Sequence, residues 1–414
     1  MTSENGSGRR PRLLVLNEYY WPGVEATANL LTELCEALAA DYDVTVVTGA
    51  TREAPAGRER RNGVEIVRVH STAYDRTQLA RRAANYFTYV FGAVQEALRE
   101  ERPDVVVCMT DPPFIGAAGQ LVARRFGSPL LVISQDVFPE IAIRLGRLRN
   151  PVLIAVLRIL IASYLRFADR VVVIGETMKK RVVAKGVDPD RIRVISNWGD
   201  AERVTPQPRD NAWARKHKLV GKFVVMHFGN VGHAQDLDTL IRSTTLLRDL
   251  DDLVVPIIGV GARLRELKEL AERVEADKVR FLPWQSYDHR AEPISAADVH
   301  VVGLAPGLAG YIVPSRMWGV LAAGRPVIAA AEEESETAAV VHATGCGIVI
   351  PPADPLALAL AIRAFHDGEY DLEEMGRRAR SYAEIETDRS IAVARYKSVL
   401  DEIRTGAGAA GSAP

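Results

Sequence analysis

The sequence predicts an α/β protein made of two successive Rossmann-like domains, each built on a doubly wound sheet. Short apolar runs alternate with helical patterns, and this alternation starts again after the proline-containing segment Thr205–Arg209. The chain has 414 residues, more than the roughly 250–300 at which a single hydrophobic core stops growing. We therefore expect two domains with an interdomain cleft.

The first half contains the strands and helices of the first domain. Its apolar runs are Leu13–Asn17, Val44–Thr48, Val64–Val69, Val105–Met109, Leu130–Ser134, Val171–Ile174 and Ile192–Ile195. Between them lie patterns with helical spacing, such as Ala26–Leu38 and Leu79–Leu98. Continuous apolar strands separated by helices indicate a parallel sheet covered on both faces.

The second half repeats this arrangement. Its apolar runs are Phe223–His227, Val254–Ile258, Val279–Leu282, Val299–Val302, Pro326–Ala330 and Gly347–Ile350. We predict an N-terminal domain over residues 11–205 and a C-terminal domain over residues 206–385. Residues 386–404 form a last helix that we expect to pack back on the N-terminal domain, and residues 1–10 and 405–414 are flexible tails.

Composition excludes several classes of protein. Lys and Arg total 52 against 53 Asp and Glu, and this balance argues against general nucleic-acid binding, which needs a surplus of basic charge. The three cysteines are far apart and form no CxxC, so we expect reduced core thiols in a cytoplasmic protein. No apolar run approaches the ~20 residues that span a bilayer. The sequence does not determine the oligomeric state.

Ligands of doubly wound sheets bind beyond the carboxyl ends of the strands. The loop after the first strand contains Tyr19, Tyr20 and Trp21, followed by Gly23 and Glu25. The three aromatic side chains favour contact with an acceptor molecule, because such loops run over the surface. The alternative is a hydrophobic plug over the end of the sheet.

Two loops of the second half are rich in glycine. Residues 228–233 follow its first strand, and such a turn into a helix points N–H groups at an anion; the alternative is a tight strand–helix turn. Residues 304–316 place Gly307 and Gly310 before Pro314, and Pro314 can start a helix. Arg316 then lies in the first helical turn, where its planar donors suit phosphate oxygens.

Asp136 follows the run Leu130–Ser134 and lies at a strand end facing the predicted cleft. Its carboxylate could orient a substrate hydroxyl or stabilise a developing cation, and the alternative is a helix N-cap. Metal binding is not predicted, because the eight histidines are dispersed without an HxH or HxxxH pair.

Taken together, these segments resemble the GT-B nucleotide-sugar glycosyltransferases of family 4, in particular the colanic-acid and O-antigen type. The resemblance runs from Leu13 to about Arg404 and rests on the order and spacing of its motifs. The matching segments are Tyr20-Trp21-Pro22, Gln135–Glu140, Asn197-Trp198, Gly229–Gly232, Phe281–Trp284, Ala297–His300, Val313–Arg316 and Ala322–Ile328.

The resemblance implies that the second domain binds the donor nucleotide and that the first binds the acceptor. The implied nucleotide and diphosphate contacts are Gly23, Gly229, Asn230, Gly232, His233, Gly261, Trp284, Gln285, Ser315 and Arg316. The implied donor-sugar loop is Gly307, Leu308, Ala309, Gly310 and Tyr311, and Asp136 would lie near the transferred sugar. Asp136 and Arg316 are thus the implied catalytic residues. The family retains the anomeric configuration without a metal or cofactor, by front-face substitution in which the leaving phosphate helps deprotonate the acceptor.

The chain also departs from the family pattern. Two glutamates that many members carry ahead of the Ala-Gly-Arg-Pro turn are replaced by Tyr311 and Gly319, and Glu336 is a candidate substitute for the lost ribose contact. The usual basic pair after the first strand of the second domain is replaced by Asn230 and Gln235. These changes leave the donor sugar and the base open, with GDP- and UDP-linked donors as the expectation.

The acceptor stays open between two classes. The aromatic first loop, with Glu25, favours a small natural-product, thiol or amino-sugar acceptor in secondary metabolism, such as antibiotic biosynthesis. A lipid-linked sugar in polysaccharide assembly is the alternative, with peripheral contact at the inner face of the membrane. Two segments could form that contact: the set Arg81, Arg82, Tyr86, Phe87, Tyr89 and Phe91, and the stretch 144–166. An inactive nucleotide-sugar-binding scaffold and a nucleotide-sugar epimerase are the competing classes of protein.

Overall fold

The structure is a computed structural model that describes residues 9–23, 25–71, 79–285 and 289–406, with the side chains of 79–83 left out. The predicted tails 1–10 and 405–414 lie mostly outside these residues, as do the side chains of Arg81 and Arg82. Within the described part, Arg9 pairs with Asp104 at 3.2 Å.

The N-terminal sheet has eight strands in the order β3-β4-β2-β1-β5-β6-β7-β8. Its strands are β1 (Arg12–Leu16), β2 (Asp43–Gly49), β3 (Gly57–Arg61), β4 (Val64–Val69), β5 (Val105–Cys108), β6 (Leu130–Ser134), β7 (Arg170–Val173) and β8 (Ile192–Val194). All neighbouring strands pair in parallel except β3, which is antiparallel to β4. The sequence did not predict β3, because its charged residues, GRERR, lie on an exposed sheet edge.

Helices cover both faces of this sheet. They are α1 (Ala26–Leu38), α2 (Leu79–Ala97), α3 (Ile115–Phe126), α4 (Glu140–Arg144), α5 (Pro151–Phe167) and α6 (Glu176–Val183), with a 3-10 turn at Pro189–Arg191. On one face, α3 packs between α2 and α5. Asn150 caps α5 by accepting hydrogen bonds from the N–H groups of Val152 and Leu153.

The C-terminal sheet has six strands in the order β11-β10-β9-β12-β13-β14. Its strands are β9 (Phe223–Phe228), β10 (Leu253–Ile258), β11 (Val279–Leu282), β12 (Val299–Gly303), β13 (Val327–Ala330) and β14 (Gly347–Ile350). Its helices are α7 (Ala212–Lys216), α8 (Leu237–Thr244), α9 (Leu264–Arg273), α10 (Ala291–Ser295), α11 (Arg316–Ala322), α12 (Glu336–Thr344), α13 (Pro355–His366) and α14 (Leu372–Ile385). All of its pairings are parallel.

The last helix, α15 (Arg389–Thr405), lies on the N-terminal domain although it follows the C-terminal one. Tyr396 is buried in the core shared with α1, and its ring meets that of Trp198 edge-on at 6.4 Å. The two segments that cross between the domains touch each other, since Gly199 donates to the carbonyl of Thr387 at 3.1 Å. The chain thus passes between the domains twice at one place, which can serve as a hinge.

No helix in the described part of the chain is both long and apolar enough to cross a membrane.

Candidate donor site in the interdomain cleft

Each sheet has one topological switch point, where strands added later in the chain begin to extend the opposite side of the sheet. In the first sheet this point lies between β1 and β5, and in the second it lies between β9 and β12. Doubly wound sheets bind ligands beyond the carboxyl ends of the strands at such points. The loops after β9 and β12 are the two glycine-rich segments that the sequence singles out, and a bridge from Asp136 to Ile312 joins the loop after β6 to the loop after β12.

Arg316 begins α11 beneath the loop after β9. One guanidinium nitrogen bonds the carbonyl of Gly303, while Nε is buried without a hydrogen-bond partner. No carboxylate of the described residues forms an ion pair with Arg316, and burial lowers the pKa of its guanidinium to about 10. The group is still charged at neutral pH, so it is a buried cation that lacks an anion. A cation left in this state is costly unless a ligand neutralises it.

The loop after β9 wraps around this arginine. Gly229 has a φ of +143°, which favours glycine, and a side chain built on it would lie 3.5 Å from Cβ of Arg316. The N–H of Gly232 is already bonded, because the Oε1 of Gln235 accepts it at 3.0 Å. Gln235 thus holds the loop, at a position where the family pattern has a basic residue. A phosphate that binds the N–H of Gly232 must share or replace the hydrogen bond to Gln235.

Two histidines contact this loop. His227, which the sequence did not single out as a site residue, is buried at the end of β9 with Nε2 3.3 Å from the carbonyl of Asn230. Burial first, and the nearby Arg316 second, hold the pKa of His227 well below its usual value, so the ring is neutral. His233 is half-buried; burial and then Arg147 of the N-terminal domain lower its pKa. Asn230 is exposed at the tip of the loop.

Four more residues are implied nucleotide contacts: Gly261, Trp284, Gln285 and Ser315, of which the backbone around Trp284 is expected to meet the base. Gly261 lies so close to the carbonyl of Val231 that a side chain there would collide with it. The ring of Trp284 lies 6.1 Å from that of Phe228, at the carboxyl end of β9. Gln285 donates to the carbonyl of Pro283 at 3.0 Å, and Ser315 precedes α11 without capping it. Contact of these residues with a nucleotide stays a prediction.

The donor-sugar loop is shaped by a residue that sequence reasoning missed. Glu332, just after β13, accepts hydrogen bonds from the N–H of Gly307 at 2.9 Å and from the N–H of Ala309 at 3.1 Å. Gly307 and Gly310 have positive φ angles, and Leu308 is buried. Two N–H groups predicted to face the donor are therefore already bonded to the protein itself. The acidic run at residues 332–334 after a buried strand was the available indication.

We expect Glu332→Ala to raise the KM for the donor by about tenfold, because two charge-assisted hydrogen bonds that hold the loop would be lost. Glu332→Gln, which keeps one acceptor oxygen, should have a smaller effect. Initial-rate kinetics at varied donor concentration measure both. Glu333→Ala is the matched control, since the Glu333 carboxylate bonds only the exposed His342, at 2.8 Å. Equal KM values for all three variants would contradict this role.

Asp136 lies on the opposite wall of the cleft, at the carboxyl end of β6. Burial first, and the charge of Asp111 second, raise the pKa of its carboxyl group to about 7. It is not an N-cap, because Pro139 holds that position before α4. The neighbouring N–H of Val137 donates to the carbonyl of Tyr311 at 2.9 Å. The backbone of Asp136 therefore lies beside the end of the donor-sugar loop.

Glu336 has a partner in the other domain. Its Oε1 accepts the N–H of Thr177, at the start of α6, at 2.5 Å. Gly175 lies so close to Glu336 that a side chain there would collide with it. A contact between Glu336 and the ribose stays a prediction, and it would compete with this interdomain hydrogen bond.

The first loop differs from the expectation of an aromatic acceptor surface. Tyr20 is only 4% exposed and packs in the core beneath α1, so its assignment as an acceptor contact is wrong. Trp21 lies under the guanidinium of Arg61, with 4.6 Å between Cζ and the ring centroid, on the β3–β4 side. The N–H of Gly23 donates to Tyr20, and a side chain at Gly23 would come within 2.8 Å of that carbonyl, so the turn itself requires glycine. Tyr19 and Glu25 are half-buried.

Among the residues that the structure describes, no group of three or more His, Cys, Asp or Glu side chains is placed to hold a metal ion.

Two facing Rossmann-like domains, with an unneutralised arginine beneath a glycine-rich loop, define the class of GT-B glycosyltransferases. Residues 26–198 match the glycosyl transferase 4-like domain, and residues 209–382 match the glycosyl transferases of group 1. The probable glycosyltransferase WbjE of Pseudomonas aeruginosa is 31% identical over 73% of this chain and 76% of its own length. The chain belongs to the family of GT4-type nucleotide-sugar glycosyltransferases.

Two further proteins are similar to this chain. The putative colanic acid biosynthesis glycosyl transferase WcaI of Escherichia coli K12 is 25% identical over 64% of this chain and 67% of its own length. The crystal structure of Anabaena HepE in complex with UDP and glucose has a TM-score of 0.73 at 16% identity, over 95% of this chain and 100% of that one. At that identity the structural likeness shows the fold alone.

Proposed function

We propose that this glycosyltransferase is retaining and metal-independent, and that it moves a sugar from a UDP- or GDP-linked donor to a lipid-linked saccharide. The observation that carries the donor half is Arg316, a buried guanidinium with no carboxylate partner among the described residues. A nucleoside diphosphate supplies the missing anion, and its charge increases when the bond to the sugar breaks.

The chemistry follows from where charge develops. Cleavage of the sugar–phosphate bond leaves negative charge on the diphosphate, which Arg316 stabilises without reorganisation. Positive charge develops on the sugar, and an ionised Asp136 across the cleft stabilises it. The leaving phosphate takes the proton of the acceptor hydroxyl on the same face, which retains the anomeric configuration. The interdomain contacts at Tyr311 and Glu336 help exclude water, which would otherwise hydrolyse the donor.

A thermal-unfolding panel with UDP, GDP, ADP and dTDP tests the donor half. We expect UDP or GDP to raise the unfolding temperature, because a ligand at 100 times its Kd stabilises the folded state by about 2.7 kcal/mol. UDP and GDP are titrated first, because the proposed donor carries one of these two nucleotides. If none of the four nucleotides stabilises the protein, and no common donor is hydrolysed, the chain is a scaffold rather than a transferase.

The proposal of a lipid-linked acceptor rests on exposed apolar side chains of the N-terminal domain. On α5, Val152, Val156 and Ile159 are 71%, 54% and 73% exposed. On the other side of α3, helix α2 exposes Phe87 and Phe91 at 67% each. We call these five side chains the apolar surface. Several large apolar side chains exposed on one domain favour a protein or membrane contact.

Other observations bear on the choice between the two acceptor classes. The small-acceptor hypothesis depended on the first-loop aromatics, and Tyr20 lies in the core. Tyr89, named with the membrane-facing set, is also buried, with its hydroxyl donating to Val47 at 3.0 Å. Arg149 precedes α5 and Arg158 lies within it; both are exposed, and Arg158 pairs with Glu140 at 3.2 Å. Exposed basic side chains suit an anionic lipid surface. The name of the relative WcaI, which refers to colanic acid biosynthesis, supports the same acceptor class.

We expect the protein to co-sediment with vesicles of phosphatidylcholine and phosphatidylglycerol at low salt. Ile159→Glu should lower the bound fraction by about tenfold, because it places a charge where apolar area would enter the interface. Leu360→Glu, at a 59% exposed position on α13 of the other domain, is the control and should bind normally. If the wild type fails to bind, the lipid-linked acceptor is excluded and a small soluble acceptor becomes the working hypothesis.

A further inference from the structure

Two arginines of the N-terminal domain enclose a tyrosine of the C-terminal domain. Cζ of Arg144 lies 4.6 Å from the ring centroid of Tyr311, and Cζ of Arg181 lies 4.7 Å from it. Tyr311 is only 7% exposed. Two positive charges therefore lie close together at one point of the domain interface, where like charges repel.

The hydrogen-bond donors of both arginines are largely unused. Arg144 reaches the hydroxyl of Tyr311 and Arg181 reaches the carbonyl of Ala309, both at 3.4 Å, which is long for such bonds. Nε of Arg181 is buried without a partner. Within the described part of the chain, neither arginine has a carboxylate within ion-pair distance. Stacking on a ring occupies the face of a guanidinium and leaves its N–H edge free for an anion.

This pair lies where donor and acceptor meet. Tyr311 ends the donor-sugar loop, and its carbonyl accepts the N–H of Val137, next to Asp136. Arg144 lies 2.9 Å from the position of a side chain built on Gly307. Glu332, the carboxylate that bonds this loop, uses both oxygens on the backbone N–H groups of Gly307 and Ala309. The two cations therefore face the loop at the sugar end, whereas Arg316 lies under the loop after β9.

We propose that Arg144 and Arg181 form a second anion subsite, which binds a carboxylate or phosphate group carried by the sugar part of a substrate. This subsite is additional to the diphosphate contact of Arg316 and rests on the proposed transferase function. The anion can have two sources: a uronic acid as the donor sugar, or a phosphate on the acceptor saccharide.

Isothermal titration calorimetry tests the donor source with UDP-glucuronic acid and UDP-glucose. We expect the wild type to bind the uronate donor about tenfold tighter, because charge-assisted bonds form to the carboxylate. Arg144→Gln and Arg181→Gln should each abolish this preference while leaving the Kd of UDP-glucose within about twofold. Arg149→Gln, an exposed arginine of the segment between α4 and α5, is the matched control.

The acceptor source is tested with glucose 6-phosphate and glucose, titrated into protein saturated with UDP so that the Arg316 site is filled. If the phosphate belongs to the acceptor, the wild type binds glucose 6-phosphate more tightly than glucose, shows no preference between the two donors, and loses the phosphate preference in both arginine variants. Tyr311→Glu is a second variant for either source, because a carboxylate between the guanidiniums should remove the preference for an anion.

Two results would overturn the subsite. One is equal affinity of the wild type for anionic and neutral ligands in both titrations. The other is an equal loss of neutral and anionic binding in Arg144→Gln and Arg181→Gln, which would make the pair a clasp between the domains. Binding of UDP alone separates these results from failure of the proposed function, since protein that does not bind UDP fails at the earlier step.

Discussion

Arg316→Ala should lower kcat/KM by roughly 10³-fold, because it removes the buried guanidinium that we propose stabilises the leaving diphosphate. The preorganised guanidinium costs no reorganisation when charge develops, so its loss acts mainly on the transition state. Arg316→Lys should recover part of the loss, since an ammonium keeps the charge without the planar pair of donors. Donor-hydrolysis and transfer rates measure both variants.

Arg316→Ala should also have an unusual effect on protein stability. The guanidinium of Arg316 is buried without an anion, and its desolvation therefore lowers the free energy of unfolding. Arg316→Ala should therefore unfold at the same temperature as the wild type or higher, while the stabilisation by UDP disappears. Residues kept for function at the expense of stability behave in this way.

Arg325→Ala is the matched control for this effect. Arg325, another arginine of the C-terminal domain, is half-buried, and its Nε is likewise without a partner. Unlike Arg316, it has the charge of Asp298 nearby, and its guanidinium bonds the carbonyl of Gln207 at 2.9 Å, in the segment that joins the two domains. Its loss should lower stability and leave UDP binding intact. Near-normal turnover in Arg316→Ala would remove this residue from the mechanism.

Arg316 could be predicted from the sequence because each step that leads to it depends on local sequence alone. Buried parallel strands are continuous apolar runs, so β1, β9 and β12 can be recognised, and the rule that ligands bind at the carboxyl ends then selects the loops that follow. Arg316 is the first residue of the helix that such a loop starts. Local sequence is enough at each of these steps.

The direction of a side chain within a loop depends on contacts between residues that are far apart in the sequence. Tyr20 follows β1 as a surface residue should, yet its ring enters the core beneath α1, where it contacts Cys35. Glu332 resembles part of a solvated acidic run, yet it bonds N–H groups 25 and 23 residues away. The edge strand β3 lacks an apolar pattern because it has solvent on one side. For Tyr20 and Glu332 the deciding contact lies outside any local window, whereas β3 pairs with β4, the next strand along the chain.

Asp136→Asn should lower kcat/KM by about 10²-fold at pH 8, because it removes the negative charge that we propose stabilises the transferred sugar. Burial and Asp111 raise the pKa of this carboxyl group to about 7. Since the ionised form is the active one, kcat/KM of the wild type should fall as the pH drops through about 7, and this fall should be absent in Asp136→Asn. Asp111→Asn should move the midpoint to lower pH, because one of the two causes of the raised pKa is then removed.

Protein stability gives a test of Asp136 that does not involve activity. A carboxyl group whose pKa is raised by folding destabilises the folded state at pH values above the folded pKa, where burial of the charge must be tolerated; the penalty disappears as the pH falls from about 7 towards about 4. Asp136→Asn should therefore unfold at a higher temperature than the wild type at pH 8, with a difference that shrinks by pH 5. If the difference stays constant across this range, burial does not shift the pKa of Asp136, and the acid limb of the rate profile belongs to another group.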